Sequence, residues 1–236
     1  MRAEIYHSCN IENLRMLSLL EGAFAMKVLV ACESSGRVRQ AFRDLGHDAW
    51  SCDLDPAEDY QKYHLQEDVM NAIHWQDWDM MIAFPPCTYL SRAGSRWLYP
   101  KGVLCSNRYA MLEDAREFFF ELLNADIPLI AIENPTPVKI AKLPEPSQVI
   151  QPYHFGDPYT KRTLLWLKGL QPLVHTNVVE PIGPWVQSNT SGKGRGESYH
   201  PGFAKSAKDR SRTFQGIADA MAAQWSNPMT LERWMS

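Results

Sequence analysis

The sequence lacks the marks of a membrane, secreted or metal-centred protein. Its 236 residues contain no run of ~18 consecutive apolar residues, so no membrane span is expected. The five cysteines (9, 32, 52, 87 and 105) form no CxxC pair and no zinc spacing. An odd count without such spacing argues against a disulfide framework. Free thiols in a reducing cytoplasm, with no bound metal, are expected instead. Positive charge is not in excess: 24 Lys+Arg stand against 27 Asp+Glu, a net charge of −3. That excludes a nucleic-acid binder that is basic throughout, but leaves room for a local basic patch. Internal repeats and low-complexity tracts are absent too. Hydrophobic residues at 45% and charged residues at 22% fall in the globular range. The length suits one α/β domain with at most a small appendage.

Near the start, Leu14 to Ala25 (LRMLSLLEGAFA) ends in a small-x-small triplet that mimics a signal cleavage site. Glu12 and Glu21 flank or interrupt it, and the first residues are not clearly basic. Met26 is therefore read as opening the domain, with residues 1–25 as an extension. From there strand and helix signals alternate. Lys27–Ala31 (KVLVA) is a buried-strand run leading into the turn CESSG. Across Arg37–Leu45, Val38, Ala41, Phe42 and Leu45 recur at helical spacing, and Gly46 closes the segment. His47–Cys52 and Trp78–Phe84 read as strands, the second stopped by Pro85-Pro86. Arg108–Asn124 is an amphipathic helix with Ala115, Phe118, Phe119, Leu122 and Leu123 on its apolar side. Pro128–Ile132 and Thr163–Leu167 are further strands. Val186–Arg212 is a polar, glycine-containing loop or small subdomain, and Ile217–Trp225 is a last helix. Such alternation predicts an α/β fold with a doubly wound, mainly parallel sheet. Ligands then lie beyond the carboxyl ends of the strands.

The residues that follow strands are therefore the ones to weigh. Gly36 lies between the first strand and a helix, where backbone and helix N-terminus can meet a cofactor; an ordinary βα turn would look the same. Asp53 and Asp55 end the second strand, where an acid can hold ribose hydroxyls or simply face solvent. Asp68 follows a third crossing and could accept from an adenine amino group. From Asp53 to Asp79 there are eight acids against Lys62 alone. This is either a solvated acidic face or a pocket that tolerates a cationic sulfonium and repels phosphate. Cys87 follows a strand through two prolines that stiffen its backbone. A thiol near a helix start has a lowered pKa and is a nucleophile, although an inert core thiol has the same sequence signature. Glu133 ends the strand before Pro135. A carboxyl group with restricted solvent access there would be raised in pKa and act as a proton donor. A thiol paired with an acid suits addition to an electron-poor ring.

FPPCTYLS (84–91) and IENP (132–135), in this order, resemble the Pro-Cys and Glu-Asn motifs of the DNA cytosine-5 methyltransferases. ACESSGRVRQAF is similar to that family's cofactor motif, CDLDP to its ribose-binding acid and QEDV to its adenine-binding acid. GDPYTKRTLLWL is similar to its later arginine motif, and RSRTFQGIADAMAAQW to its terminal motifs. The likeness spans about Met26 to Trp225 and is greatest to short phage- or prophage-type members, some of which serve restriction-modification. It implies a Rossmann-like S-adenosyl-L-methionine-dependent methyltransferase fold. It divides the chain into a core at 26–168, a small target-recognition region at 169–212 and a returning helix at 213–236. Cys87, Glu133, Lys161 and Arg162 would be catalytic. Cys32, Glu33, Ser34, Gly36, Asp53, Leu54, Asp68, Phe84 and Pro85 would hold S-adenosyl-L-methionine. The sequence departs from the family's pattern in the first motif, where aromatic-Gly-x-Gly is replaced by Cys-Glu-Ser-Ser-Gly. Thr88 also follows the Cys where Gln is common.

From Gln187 to Arg212, Lys193, Arg195, Lys205, Lys208, Arg210 and Arg212 stand against Glu197 and Asp209, a net charge of +4. Basic residues on a Gly/Ser-rich segment suit phosphate contact. Lys193, Arg195, Lys205, Arg210 and Arg212, with Ser91 beside the Cys motif, would contact double-stranded DNA. The resemblance implies a flipped-out cytosine, a covalent bond from Cys87 to C6, and methyl transfer to C5. The short recognition region implies short or relaxed sequence specificity. The protein is expected to act as a monomer. An RNA or nucleotide acceptor, a modified sulfonium cofactor, or a non-catalytic nucleic-acid-binding role fits the same residues less directly.

Overall fold

The computed structural model describes residues 25–186, 204 and 206–226 of the chain. The first strand, β1 (Lys27–Ala31), is followed by helix α1 (Arg37–Asp44) and β2 (Asp48–Asp53). Next come the short β3 (His64–Gln66) and α2 (Val69–Ala72), then β4 (Met80–Ala83), the long helix α3 (Ser106–Leu123) and β5 (Leu129–Pro135). The second half holds β6 (Gln148–Ile150), β7 (Tyr159–Thr160), β8 (Thr163–Lys168), β9 (Gly183–Pro184), α4 (Ala207–Ser211) and α5 (Gln215–Trp225).

Seven strands form one sheet in the order β3-β2-β1-β4-β5-β8-β6, and β7 pairs with β9 apart from it. β1 through β5 are mutually parallel, while β8 runs antiparallel to both β5 and β6. This is the doubly wound, mainly parallel α/β fold that the strand–helix alternation predicts. Side chains alternate across each strand. Val28, Val30, Met80 and Ile82 face one layer with Phe42 of α1 and Ile217, Met221 and Trp225 of α5. Leu29, Ala31, Met81, Ile130 and Ile132 face the other, with Leu112, Phe119 and Leu122 of α3. Helix α5 packs directly on α1. Burial on both faces is why these strands read as unbroken apolar runs.

The differences from the sequence reading are local. The second strand begins at Asp48 rather than His47, and α3 starts at Ser106. Strand β6 escapes the periodicity argument because three residues between proline-rich stretches carry no period. Within Val186–Arg212, α4 forms behind a capping box: Asp209 N–H donates to Ser206 Oγ, and Ser206 N–H donates to the Asp209 carboxylate. Lys193, Arg195 and Lys205 lie outside the described residues, as do the first 24 positions.

The chain goes outward from β1 through β2 and β3, then crosses back to β4 on the other side of β1. Between β1 and β4 the winding reverses, and the crevice beyond their carboxyl ends is the expected ligand position. Cys32 follows one of these strands and Phe84 the other, with Phe84 N–H donating to the Ala31 carbonyl at 2.9 Å.

Candidate active site

The turn after β1 is built around Glu33. Its side chain is only 5% exposed. It accepts from Ser35 Oγ at 2.9 Å, from Val38 N–H at 3.0 Å and from Arg39 N–H at 3.4 Å. The carboxylate thus occupies the N-terminus of α1, where phosphate-binding folds place their anion. Burial raises the Glu33 pKa, against the lowering effect of these hydrogen bonds and of Arg39. The turn itself needs Gly36, at φ 72°. A Cβ at Gly36 would come within 2.6 Å of the Arg39 and Asp59 side chains. Arg39, 1% exposed, ion-pairs with Asp59 and donates to Ser51 Oγ at 2.9 Å. That pair ties the loop after β2 to α1.

A cleft of about 790 Å³, including its open mouth, lies over this turn. Its lining includes Cys32, Glu33, Ser34, Asp53, Asp55 and Phe84. Asp53 Oδ1 accepts from Asp55 N–H at 2.9 Å. Four of the cofactor candidates behave differently. Gly36 shapes the turn and is not part of the lining. Leu54 is 73% exposed. Asp68 caps α2 by accepting from Met70 N–H at 2.9 Å. Pro85 is buried, and Pro86 lines the cleft in its place. The Cys32 thiol is pushed up to about 12 by burial, and further by Asp53, Cys52 and Asp68, so it is no nucleophile at neutral pH.

The cleft's other wall comes from α4 and the residue after it. Lys208, Ser211, Arg212 and Thr213 complete the lining. Arg212 reaches Glu58 at 2.6 Å and Asp209 at 3.0 Å, and Lys208 reaches Glu58 at 3.3 Å. Arg212 is thus committed to carboxylates at the cleft. Sequence reasoning missed Glu58, whose only signal was its place in the acidic run Asp53–Asp79.

A second, smaller cavity lies beside the first, with Phe84 common to both. Glu133, Lys161, Thr163, Phe214 and Met221 line it. Because β8 is antiparallel to β5, with Pro135 opposite Thr163, Lys161 arrives at the same sheet edge as Glu133. Lys161 Nζ donates to the Arg210 carbonyl at 3.0 Å, and its N–H donates to Gln151 Oε1 at 2.9 Å. Arg162, the next residue, is exposed. The structure therefore brings Lys161, and not Arg162, to Glu133. Burial raises the Glu133 pKa, and Lys161 opposes it.

Cys87 is half-buried in the loop after β4. No helix starts there: Thr88 to Leu90 form a turn, and Ser91 N–H donates to the Cys87 carbonyl at 2.9 Å. The lowered pKa expected from a helix start is therefore not found. Burial pushes the thiol up and Glu133 adds to this, while Lys161 and Arg210 pull it down. Ser91, expected to touch DNA, is buried, and its residue bridges to Pro137.

No family model matches the chain, and no curated protein matches it. Among solved structures it is similar to a prophage-encoded E. coli protein described as a DNA modification methyltransferase, with a TM-score of 0.39 and 12% identity. The match covers 61% of this chain and 46% of that one, so it spans less than half of the neighbour's length. Among the described residues, no helix is long and apolar enough to cross a membrane.

Proposed function

We propose that the protein is an S-adenosyl-L-methionine-dependent methyltransferase acting on C5 of cytosine in DNA. The observation that carries this reading is that Glu133 and Lys161 line one cavity next to an acidic cleft, and that both act electrostatically on the Cys87 thiol. A pyrimidine is attacked at C6 by a thiolate only if charge entering the ring is neutralised. Glu133, held toward its protonated form by burial, is suited to hydrogen-bond N3. Lys161 stands near both groups and favours thiolate over thiol at Cys87.

Glu33 already fills the α1 N-terminus, which disfavours a phosphate-rich dinucleotide there. Asp53 and Asp55 leave carboxylates at the cleft that suit ribose hydroxyls and a sulfonium. Cys32, Glu33, Ser34, Asp53 and Phe84 would hold S-adenosyl-L-methionine, which supplies an electrophilic methyl on a cationic sulfur. Phe84, Ser211 and Thr213 line both cavities, so the two adjoin each other. After transfer, water takes the C5 proton, the C5–C6 double bond re-forms and the Cys87–C6 bond breaks to return the thiolate.

Lys193, Arg195, Lys205, Arg210 and Arg212 remain candidates for DNA contact, and Arg212 would have to exchange Glu58 for phosphate. Co-expression with plasmid DNA and base-resolution methylation mapping tests the reading. 5-Methylcytosine that disappears with Cys87→Ser is expected, and none in either sample would remove it.

A further inference from the structure

We propose that the groove beyond Cys87 binds an unpaired strand of DNA, with bases on its aromatic and apolar surface and phosphates on its cationic rim. The segments leaving Cys87 and Glu133 are joined by backbone hydrogen bonds. Val138 N–H donates to the Leu90 carbonyl at 2.7 Å, and Arg92 N–H to the Thr136 carbonyl at 3.0 Å. Just past this junction they part around a groove of about 1,060 Å³, including its open mouth. Leu98, Pro137, Val138 and Ile140 give it an apolar lining, with Tyr99 at one side and Arg92 and Lys139 among its edges.

Charge picks out the occupant. From Met80 to Leu112 the sequence has no Asp or Glu, yet it carries Arg92, Arg96, Lys101 and Arg108. Of these, Arg92 lines the groove, as does Lys139 from the other segment; Arg108 donates to the Thr88 carbonyl and lies over the Tyr89 ring. This cationic stretch belongs to a chain whose net charge is −3. Tyr99, which lines the groove, is 45% exposed, and Trp97, two residues before it, is 58% exposed. The Arg96 guanidinium lies 4.7 Å from the Trp97 ring centre. Exposed rings interleaved with cations are what a single strand needs, because each base offers a face for stacking. A duplex presents phosphates outward and keeps its base faces stacked internally, so the apolar lining would gain nothing from it. Strand binding by the groove stands without the transfer reading. That the strand is DNA, and that it continues from the target base, rests on that reading.

The test is fluorescence anisotropy with 5′-labelled oligo(dT), the same strand annealed to oligo(dA), and oligo(U), at one fixed salt concentration and without cofactor. None of these contains cytosine, so failure of methyl transfer leaves the result intact, and failure of binding leaves methyl transfer to be judged separately. Oligo(dT) is expected to bind at least about tenfold more tightly than the duplex, given the gain from base stacking on rings. Trp97→Ala and Tyr99→Ala are each expected to weaken it about five- to tenfold or more. Tyr99→Phe, which keeps the ring, should bind like the parent. Lys139→Glu should weaken binding and flatten its salt dependence. Equal or tighter duplex binding, or Trp97→Ala and Tyr99→Ala variants that bind normally while folded by circular dichroism, would overturn the proposal. Oligo(U) binding as tightly as oligo(dT) would overturn the assignment to DNA.

Discussion

Lys161 and Glu133 line the same cavity at one edge of the sheet, and the ammonium opposes the burial that raises the carboxyl pKa. The same ammonium lowers the Cys87 pKa, whereas Glu133 raises it. Three groups from three separate segments are therefore coupled electrostatically. The parallel pairing of β4 with β5 brings the Cys87 and Glu133 segments to one end of the sheet, and antiparallel β8 returns Lys161 to it.

This coupling fixes a pH profile. In the proposed reaction the productive pair is a Cys87 thiolate with a protonated Glu133. Activity should rise with pH through the lower of the two pKa values and fall through the higher. Lys161 lowers both, so Lys161→Met should move both limbs of kcat/KM toward higher pH. A change in height with no displacement of either limb would show that Lys161 does not set these ionisations.

Thiol alkylation reads Cys87 without substrate. Iodoacetamide should modify Cys87 slowly at neutral pH and faster as pH rises, since its pKa lies above the ordinary thiol value. Glu133→Gln removes a charge that raises this pKa, so alkylation at a given pH should quicken. Cys32 and Cys52, each pushed to about 12, should stay largely unmodified, as peptide mapping would show. Slower alkylation in Glu133→Gln would contradict the placement of the two groups.

Glu133→Gln should reduce methyl transfer by about 10²–10⁴-fold, the usual contribution of a positioned acid. Cofactor affinity, measured by calorimetry, should change little, because Glu133 does not line the larger cleft. Full turnover in this variant would remove Glu133 from the mechanism.

Glu58 holds Lys208 and Arg212 at the larger cleft, proposed to take the cofactor. Glu58→Gln should speed cofactor dissociation several-fold in stopped-flow measurements. Loss of these partly exposed ion pairs should change stability by only ~1 kcal/mol. An unchanged dissociation rate would show that the α4 segment does not retain the cofactor.

Gly36→Ala should destabilise the fold by at least ~1–2 kcal/mol in urea unfolding, from the left-handed backbone alone. Displacement of the Arg39–Asp59 pair would add to that loss. A neutral substitution would mean that the turn relaxes to an ordinary conformation.

Much of the fold was legible because buried parallel strands read as apolar runs: KVLVA, MMIA and LIAI each sit where the run predicts. Cys87 and Glu133 stood out through the prolines that follow their strands. The ionisation of Cys87 is not legible in the sequence: a turn, not a helix start, follows it, and burial raises the thiol pKa. Glu33 was legible as a departure from the glycine motif, but not its role, since capping α1 depends on a fold-back of five and six residues. The Glu58–Arg212 pair spans 154 positions and has no local sequence signal.

The most direct measurement incubates the protein with DNA and S-adenosyl-L-methionine labelled at the methyl group, then separates the nucleosides. The label should appear in 5-methyldeoxycytidine with the parent protein and be lost with Cys87→Ser. Label in an N-methylated base, or 5-methyldeoxycytidine formed at the full rate by Cys87→Ser, would contradict a thiolate-dependent transfer to C5.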